Sequence, residues 1–119
     1  MEHIQEAKRY IANAKEILKE KAKKQDGYYT DPKYVKIAGH AAYAGLLVAL
    51  DGTFGKKGKG RKDIDWYRDN MAKTNKKLLP VLGSAYEILH LFMGYDGAKD
   101  ARISAVGIAN AEKIINAVA

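Results

Sequence analysis

Residues 38–50 have the sequence Ala-Gly-His-Ala-Ala-Tyr-Ala-Gly-Leu-Leu-Val-Ala-Leu, which is apolar on nearly every side of a helix. Such a helix is typical of the centre of a fold, because a helix at the surface carries a polar face. Its small residues allow neighbouring helices to approach closely, and packing must offset the roughly 1 kcal/mol that each helical glycine costs relative to alanine. Asp31 and Pro32 stand in the order of an N-cap and a first-turn proline, so we predict a helix from residue 32 to about residue 50.

The segment before this helix is amphipathic. From about residue 2 to residue 24, apolar residues recur at helical spacing opposite a lysine-rich face. The cations at the C-terminal end of this segment favour a helix, because they complement the helix dipole. Gly27 is placed to terminate this first helix, and a turn through residues 26–29 leads to the second.

Three further helical segments follow. Asp63 is placed to cap a third helix, whose apolar seam comprises Ile64, Tyr67, Met71, Thr74 and Leu78, with Trp66 beside it. Pro80 either opens a fourth helix or kinks a continuous one. The apolar face beyond Pro80 comprises Val81, Leu82, Ala85, Ile88, Leu89 and Phe92. A fifth helix is predicted from about residue 98 to residue 118, with one apolar stripe formed by Ile103, Val106, Asn110, Ile114 and Ala117 and another by Ile108, Ala111, Ile115 and Val118.

No segment alternates polar and apolar residues for long enough to predict a strand. Five helices with short connections predict an all-α fold, an up-and-down antiparallel helical bundle of four to five helices. The 119 residues are near the usual size of one domain, so we predict a single domain over residues 1–119. The composition, 47% hydrophobic and 29% charged, is that of a globular protein and argues against disorder for most of the chain.

The chain contains no cysteine, which excludes disulfides, thiolate metal sites and cysteine nucleophiles, and which fits a cytoplasmic protein. The amphipathic N-terminus lacks a signal-peptide pattern. We expect no apolar window long enough to span a bilayer and no association with membrane. The formal net charge of +7 favours polyanionic partners such as nucleic acid or nucleotides.

Residues 51–62 are predicted to form a loop, and its second half is strongly basic. The candidate residues for binding an anion or nucleic acid are Lys56, Lys57, Lys59, Arg61 and Lys62. Glycine-rich loops that lead into a helix N-terminus can hold phosphate. Gly55 and Gly60 have the spacing of a Walker loop, but the Lys and the Ser or Thr that must follow are absent, which excludes that motif. A solvated loop without a ligand is the alternative.

No group of residues points to catalysis or to a bound metal. Glu87 and His90 form one Glu-x-x-His motif, whereas di-iron bundles use two such motifs together with further inward glutamates. We expect His40, on the apolar helix, to be hydrogen-bonded in the core, and His3, near the N-terminus, to be solvated. The two serines have no nucleophile-elbow context. We therefore predict no catalytic residue, no metal and no cofactor.

Four of the eight tyrosines lie near the first inter-helix turn or on the second helix, namely Tyr28, Tyr29, Tyr34 and Tyr43. Tyrosine has an apolar ring and a polar hydroxyl, so it suits the edge of a core. The alternatives are an interface, which would favour a homodimer or a partner protein, and a platform for stacking nucleobases.

The first two helices resemble the opening helix pair of HEPN bundles, the "higher eukaryotes and prokaryotes nucleotide-binding" family. The similarity lies in the lysine-rich amphipathic segment 7–18 and in the small-residue helix with the pairs Tyr43-Ala44 and Ala49-Leu50. The whole chain also resembles a small bacterial family known only as a domain of unknown function.

The HEPN resemblance implies a bundle of four or five helices, frequent dimers, and pairing with nucleotidyltransferases in toxin–antitoxin modules. Many HEPN proteins are metal-independent ribonucleases, whose motif is an arginine, four to six residues and a histidine. Here Arg102 would begin that motif, but Gly107 occupies the first histidine position, and no arginine precedes any of the three histidines at the required distance. The ribonuclease activity is therefore not carried over, because no imidazole is placed to act as acid or base.

These observations favour a non-catalytic helical binding module that self-associates or pairs with another protein. The alternative is binding of nucleic acid or a nucleotide through residues 55–62. A divergent ribonuclease is the third hypothesis.

Overall fold

The computed structural model describes residues 1–55 and 62–119, and over these ranges the predicted antiparallel helical bundle is confirmed. In chain order the elements are α1 (Glu2–Ile17) with a π-helical extension (Leu18–Ala22), β1 (Lys24–Gln25), β2 (Tyr28–Tyr29), α2 (Pro32–Phe54), α3 (Ile64–Thr74), a 3₁₀ turn (Lys76–Leu78), α4 (Leu79–Ala85) with a π-helical extension (Tyr86–Tyr95), and α5 (Ala101–Val118). We call the continuous helical run Lys76–Tyr95 the fourth helix.

Helix α2 lies at the centre of the bundle and contacts α1, α5 and the fourth helix, as its composition predicts. Its glycines mark the closest approaches. A Cβ atom at Gly39 would lie 2.6 Å from the Leu89 carbonyl oxygen, and one at Gly45 would lie 2.6 Å from the Cβ atom of Tyr10. Glycine is therefore needed for the helices to approach this closely, and the packing gained offsets its poor helix propensity.

Both predicted N-caps are confirmed. The Asp31 carboxylate accepts a hydrogen bond from the Lys33 N–H at 3.0 Å, and the Asp63 carboxylate accepts one from the Trp66 N–H at 2.9 Å. The predicted end of α2 near residue 50 is wrong. The helix continues for another turn until Gly55, whose φ of 80° suits the residue that ends a helix.

The chain reverses between α1 and α2 through a β-hairpin, where the sequence predicts only a turn. Asp26 and Gly27 have φ values of 54° and 84°, the two left-handed residues that a tight hairpin turn requires. The first helical run ends at Ala22 with Lys23, whose φ is 55°, as its C-cap, so the prediction that Gly27 terminates it is wrong. The Tyr29 N–H donates to the Lys99 carbonyl at 2.8 Å, which ties the hairpin to the segment before α5. The strands are two residues long, so alternation in the sequence could not reveal them.

Pro80 opens a helix and does not kink one. It lies in the first turn of α4, where its missing N–H costs no hydrogen bond. Asn75, with a φ of −155°, separates α3 from the 3₁₀ turn that precedes α4. Of the seam predicted along α3, Tyr67 and Met71 are buried, while Thr74 is exposed because the helix ends there.

The second half of the fourth helix is wound more widely than an α-helix. Its last hydrogen bonds include one from the Asp96 N–H to the Leu91 carbonyl, five residues earlier. In this winding residues five apart lie over one another, so Met93 follows Ile88 into the core. Phe92 is 42% exposed, and the prediction that it belongs to the apolar face of this helix is wrong for that reason.

Helix α5 buries one predicted stripe and exposes part of the other. Its buried residues are Ala101, Ser104, Gly107, Ile108, Ala111, Ile114 and Ile115. Ile103 and Val106 are 39% and 51% exposed. A Cβ atom at Gly107 would collide with Ile88, so the fourth helix packs closely against α5 at this position.

Two helices of the described chain, Pro32–Phe54 and Lys76–Tyr95, are long and apolar enough to span a bilayer by length and composition. The prediction that no window reaches that length is therefore wrong. Both helices pack against other helices of the bundle, as core helices that meet the same criterion do.

Candidate functional site

Five rings meet on one side of the bundle, between α2 and the π-helical part of the fourth helix. We call them the aromatic face, and they belong to His40, Tyr43, Tyr86, His90 and Tyr95. His90 lies at the centre. Its ring is stacked on Tyr43 with the centroids 4.7 Å apart, and its centroid lies 5.4 Å from that of Tyr86 and 5.1 Å from that of Tyr95. The His40 centroid lies 6.4 Å from those of His90 and Tyr95.

The winding of the fourth helix brings its three rings to the same side. Tyr86 and His90 are four residues apart, and His90 and Tyr95 are five apart. In an α-helix of 3.6 residues per turn, a five-residue step would carry the third ring away from the first two. The π-helical winding instead aligns residues five apart, and π-helical turns are frequent at functional sites. His40 and Tyr43, three residues apart on α2, share a side by ordinary α-helical spacing.

Arg68 of α3 extends the aromatic face at one end. Its guanidinium carbon lies 5.9 Å from the centroid of the Tyr86 ring, within the range of a cation–π interaction. The Arg68 side chain passes close to Gly83, since a Cβ atom there would be in ordinary van der Waals contact with the Arg68 Nη2 at 3.7 Å. Tyrosine and arginine together are the residue types that contribute most at protein interfaces, and they also stack on nucleobases.

Burial disfavours the charged forms of the two groups at the centre of the aromatic face. Burial, reinforced by Tyr86 and opposed by Arg68, raises the pKa of Tyr43 to about 12. Burial and then the neighbouring His40 lower the pKa of His90 below its ordinary value of 6.5. The Nδ1 atom of His90 is buried and has no hydrogen-bond partner among the described residues.

The aromatic face offers stacked rings and a neighbouring cation for contact with another molecule. A catalytic imidazole is normally oriented by a hydrogen bond from its second nitrogen, and the described residues supply none to the Nδ1 atom of His90. Within residues 1–55 and 62–119, no three acidic or histidine side chains gather to hold a metal. Neutral stacked rings beside a guanidinium favour apolar and cation–π contacts with another molecule.

Of the five basic residues predicted to bind an anion, the structure describes Lys62. The other predicted residues, Lys56, Lys57, Lys59 and Arg61, lie outside the described residues. The Lys62 ammonium lies 3.0 Å from the Asp51 Oδ1 and 2.9 Å from the Gly55 carbonyl oxygen, and 4.8 Å from the Trp66 ring centroid. The Tyr67 hydroxyl donates to the same Asp51 oxygen at 2.7 Å. Lys62 thus ties the end of α2 to the start of α3, and its role in anion binding stays a prediction.

The four tyrosines predicted to form an interface are divided between two places. Tyr28, Tyr29 and Tyr34 lie on the hairpin or just after it, and Tyr28 is 54% exposed. Tyr43 lies in the aromatic face. Sequence reasoning missed the tyrosines of the fourth helix, because their alignment with Tyr43 depends on π-helical winding, which spacing counted for an α-helix does not reveal.

Two expectations about histidines are corrected. His40 is exposed, because it lies at the edge of α2 beside the fourth helix and not on the side that faces the core. His3 is half-buried and its Nε2 atom is buried without a hydrogen-bond partner among the described residues. The imidazole of His3 packs against α2 where Gly52 leaves room for it, since a Cβ atom at Gly52 would collide with the ring.

A side of α2 next to the aromatic face is incompletely covered by the described chain. Ile37, Ala41, Ala44 and Val48 recur at steps of four, three and four residues, which places them on one side of the helix. We call this group the outer face of α2. Ile37 is 43% exposed and the other three are half-buried. In the most apolar 18-residue window of α2, 39% of the residues are buried, the same share as in the fourth helix.

Comparison with known proteins identifies relatives but no activity. A family model described as Domain of unknown function (DUF5618) matches residues 2–119. A solved structure of a protein of unknown function from Dyadobacter fermentans is 56% identical, covers 98% of this chain and 94% of its own, and superposes with a TM-score of 0.96. No curated protein matches the chain. The expected resemblance to a bacterial family of unknown function is confirmed, while the resemblance to HEPN bundles stays a prediction.

Proposed function

The chain belongs to the DUF5618 family, and we propose that it is a non-catalytic binding module that self-associates through the outer face of α2. The observation that supports this proposal is the exposure of apolar side chains along the central helix of the bundle, with Ile37 43% exposed. Apolar area that a single copy leaves in water is recovered when a second copy covers it, at about 25 cal/mol per Å².

The order of residues on the outer face fits a two-fold symmetric contact. In a symmetric dimer the same surface of each copy meets. When two α2 helices cross in antiparallel directions, Ile37 of each copy lies against Val48 of the other, and Ala41 lies against Ala44 of the other. The alanines at the centre allow the helix axes to approach closely, and the larger side chains at the ends supply apolar area.

The aromatic face supplies a border for this contact. His40 belongs to the aromatic face and directly precedes Ala41 of the outer face, so the two surfaces adjoin on α2. Buried tyrosine and arginine side chains carry much of the binding free energy at many protein interfaces. We therefore expect Tyr43 and Arg68 to contribute at the edge of the dimer contact.

Light scattering coupled to size exclusion tests self-association. The unaltered protein should elute with twice the chain mass of 13.2 kDa. Ile37→Glu should yield monomer, because the dimer would bury an unpaired carboxylate. Val106→Glu is the matched control, since Val106 is also exposed and apolar but lies on α5. A monomer of the unaltered protein at high concentration would refute the proposal, as would equal dissociation of both variants.

We propose nucleic-acid or nucleotide binding through residues 55–62 as a second candidate function. The net charge of +7, the density of cations in that segment and the HEPN resemblance support it. Replacing Lys56, Lys57 and Lys59 with Glu should abolish binding of a labelled RNA in fluorescence anisotropy, and binding by the unaltered protein should weaken steeply with salt. In the control, the exposed Lys76 and Lys77 are replaced with Glu. Unchanged binding by the loop variant would exclude this function.

A further inference from the structure

A groove runs between α1 and α5 and ends at the hairpin. Its larger part is a cavity of about 350 Å³, lined by the buried side chains of Leu18 and Ile108 and by the half-buried Tyr29. A smaller cavity of about 230 Å³ continues along the same two helices, where Ile11 and Ile115 line it. The larger cavity has the volume of a small-molecule site, and both have apolar floors.

Three lysines surround the larger cavity. The Lys15 Nζ lies 2.9 Å from the Glu112 Oε2, and both residues also line the smaller cavity. Among the described residues, no carboxylate lies within 4 Å of the ammonium groups of Lys19 and Lys24. Three cations therefore face one carboxylate, and the mouth of the cavity carries an excess of positive charge.

The backbone at this end of the groove is specialised. The helical run ends in the π-helical segment Leu18–Ala22, and the Lys23 N–H donates to the Leu18 carbonyl at 3.1 Å. Lys23 then has a φ of 55°, and the hairpin that follows pairs Lys24 with Tyr29 beside the cavity. The Tyr29 hydroxyl is protonated at neutral pH, as tyrosine ordinarily is, and is able to donate a hydrogen bond; burial raises its pKa further.

The shape of the groove and the position of its charges define a class of ligand. Ile11 and Leu18 are seven residues apart on α1, so the apolar floor extends about 10 Å along the helix. We propose that the groove binds an amphiphilic carboxylate, with its head between Lys19 and Lys24 and its aliphatic chain on the apolar floor. A polyanion would be attracted to the lysines but would bury no apolar area against Leu18 and Ile108. This site shares no residue with the outer face of α2, so the test of ligand binding is independent of the test of self-association.

Isothermal titration calorimetry with decanoate tests the proposal. One decanoate should bind per chain in a saturable manner. Acetate and decyltrimethylammonium should not bind, because the first lacks the chain and the second carries the wrong charge. Absence of saturable decanoate binding would overturn the proposal, and so would equal binding of decyltrimethylammonium.

Two variants test where the carboxylate head and the aliphatic chain of decanoate lie. Replacing both Lys19 and Lys24 with Gln should weaken decanoate binding by about tenfold, while Lys113→Gln, at an exposed site of α5 outside the cavity, should leave it unchanged. Ala105→Trp should abolish binding by filling the cavity from its exposed rim. Unaltered affinity in the double lysine variant or in Ala105→Trp would contradict the assigned position.

A substitution of Glu112 distinguishes an effect of its charge on ligand binding from a purely structural role of its ion pair with Lys15. Its carboxylate is the negative charge among the residues that line the cavity, so Glu112→Gln should reduce repulsion of the ligand's head and tighten decanoate binding by about two- to fivefold. If the ion pair serves only to hold α1 and α5 together, the same variant should bind decanoate more weakly. Weaker or unchanged binding would contradict the position assigned to the head.

Discussion

His90 is surrounded by rings from two helices, and its Nδ1 atom is buried without a partner among the described residues. A proton added to this imidazole must be accommodated with little water around it. The neighbouring His40, whose ring centroid is 6.4 Å away, makes a second positive charge on the aromatic face unfavourable. The aromatic face therefore contains a histidine whose protonation is disfavoured in the folded chain.

We predict that the free energy of unfolding falls as the pH drops below 6.5. His90 has its ordinary pKa of 6.5 in the unfolded chain and a lower pKa in the folded one. Between these two values the unfolded state binds more protons, so acidification favours unfolding. The stabilisation is fully present above pH 6.5 and is lost as the pH falls toward the folded value. Urea denaturation at about pH 7.5 and about pH 5.5 measures the difference.

A variant isolates the contribution of His90 to this pH dependence. His90→Phe retains a ring in the aromatic face but cannot titrate, so its stability should change less between the two pH values. Lys113→Gln, at an exposed position on α5, should behave as the unaltered protein does. An equal loss of stability in His90→Phe would show that another group is responsible.

At the scale of the helices, contact distance outweighs helix propensity. The two glycines Gly39 and Gly83 are both helical, but a Cβ atom would lie 2.6 Å from backbone and side-chain atoms at Gly39 and no closer than 3.7 Å to any at Gly83. Alanine is the better helix former at both positions by about 1 kcal/mol. Whether alanine raises or lowers the free energy of unfolding therefore depends on how close the neighbouring helix lies.

We predict opposite effects for alanine at these two positions. Gly39→Ala should lower the free energy of unfolding by about 1–3 kcal/mol, because α2 and the fourth helix must separate to admit the methyl group. Gly83→Ala should raise it by up to about 1 kcal/mol. Urea denaturation of both variants gives the comparison, and a stabilised Gly39→Ala would mean that the two helices are not as closely packed as described.

The positions of the helices could be predicted because their signals are local. Asp31 and Asp63 are N-caps in the structure, and apolar spacing located all five helices. The change to π-helical winding in the fourth helix could not be predicted, because it reflects packing against α2 and α5 more than local propensity. Met93 is buried in place of Phe92 for this reason. The aromatic face depends on the same change, so Tyr43 alone among its rings was a predicted interface residue.

At the scale of the whole molecule, the composition of α2 predicts that its apolar sides are buried. It does not say whether helices of the same chain or of another copy bury them. Its apolar sequence predicts a buried helix, and the bundle buries the sides that face α1, α5 and the fourth helix. The outer face remains partly exposed, with Ile37 at one end and Val48 at the other. The proposed self-association would complete the burial that the composition predicts.

Disulfide trapping tests this arrangement most directly, because the chain has no cysteine of its own. Ala41→Cys and Ala44→Cys are mixed under mild oxidation, with an affinity tag on one variant so that the mixed dimer has its own mass. Ala109→Cys, exposed on α5, is the control. We expect the disulfide between positions 41 and 44 to exceed those between identical variants, because antiparallel α2 helices oppose these two positions. No disulfide in the mixture, or as much from Ala109→Cys, would contradict self-association through the outer face.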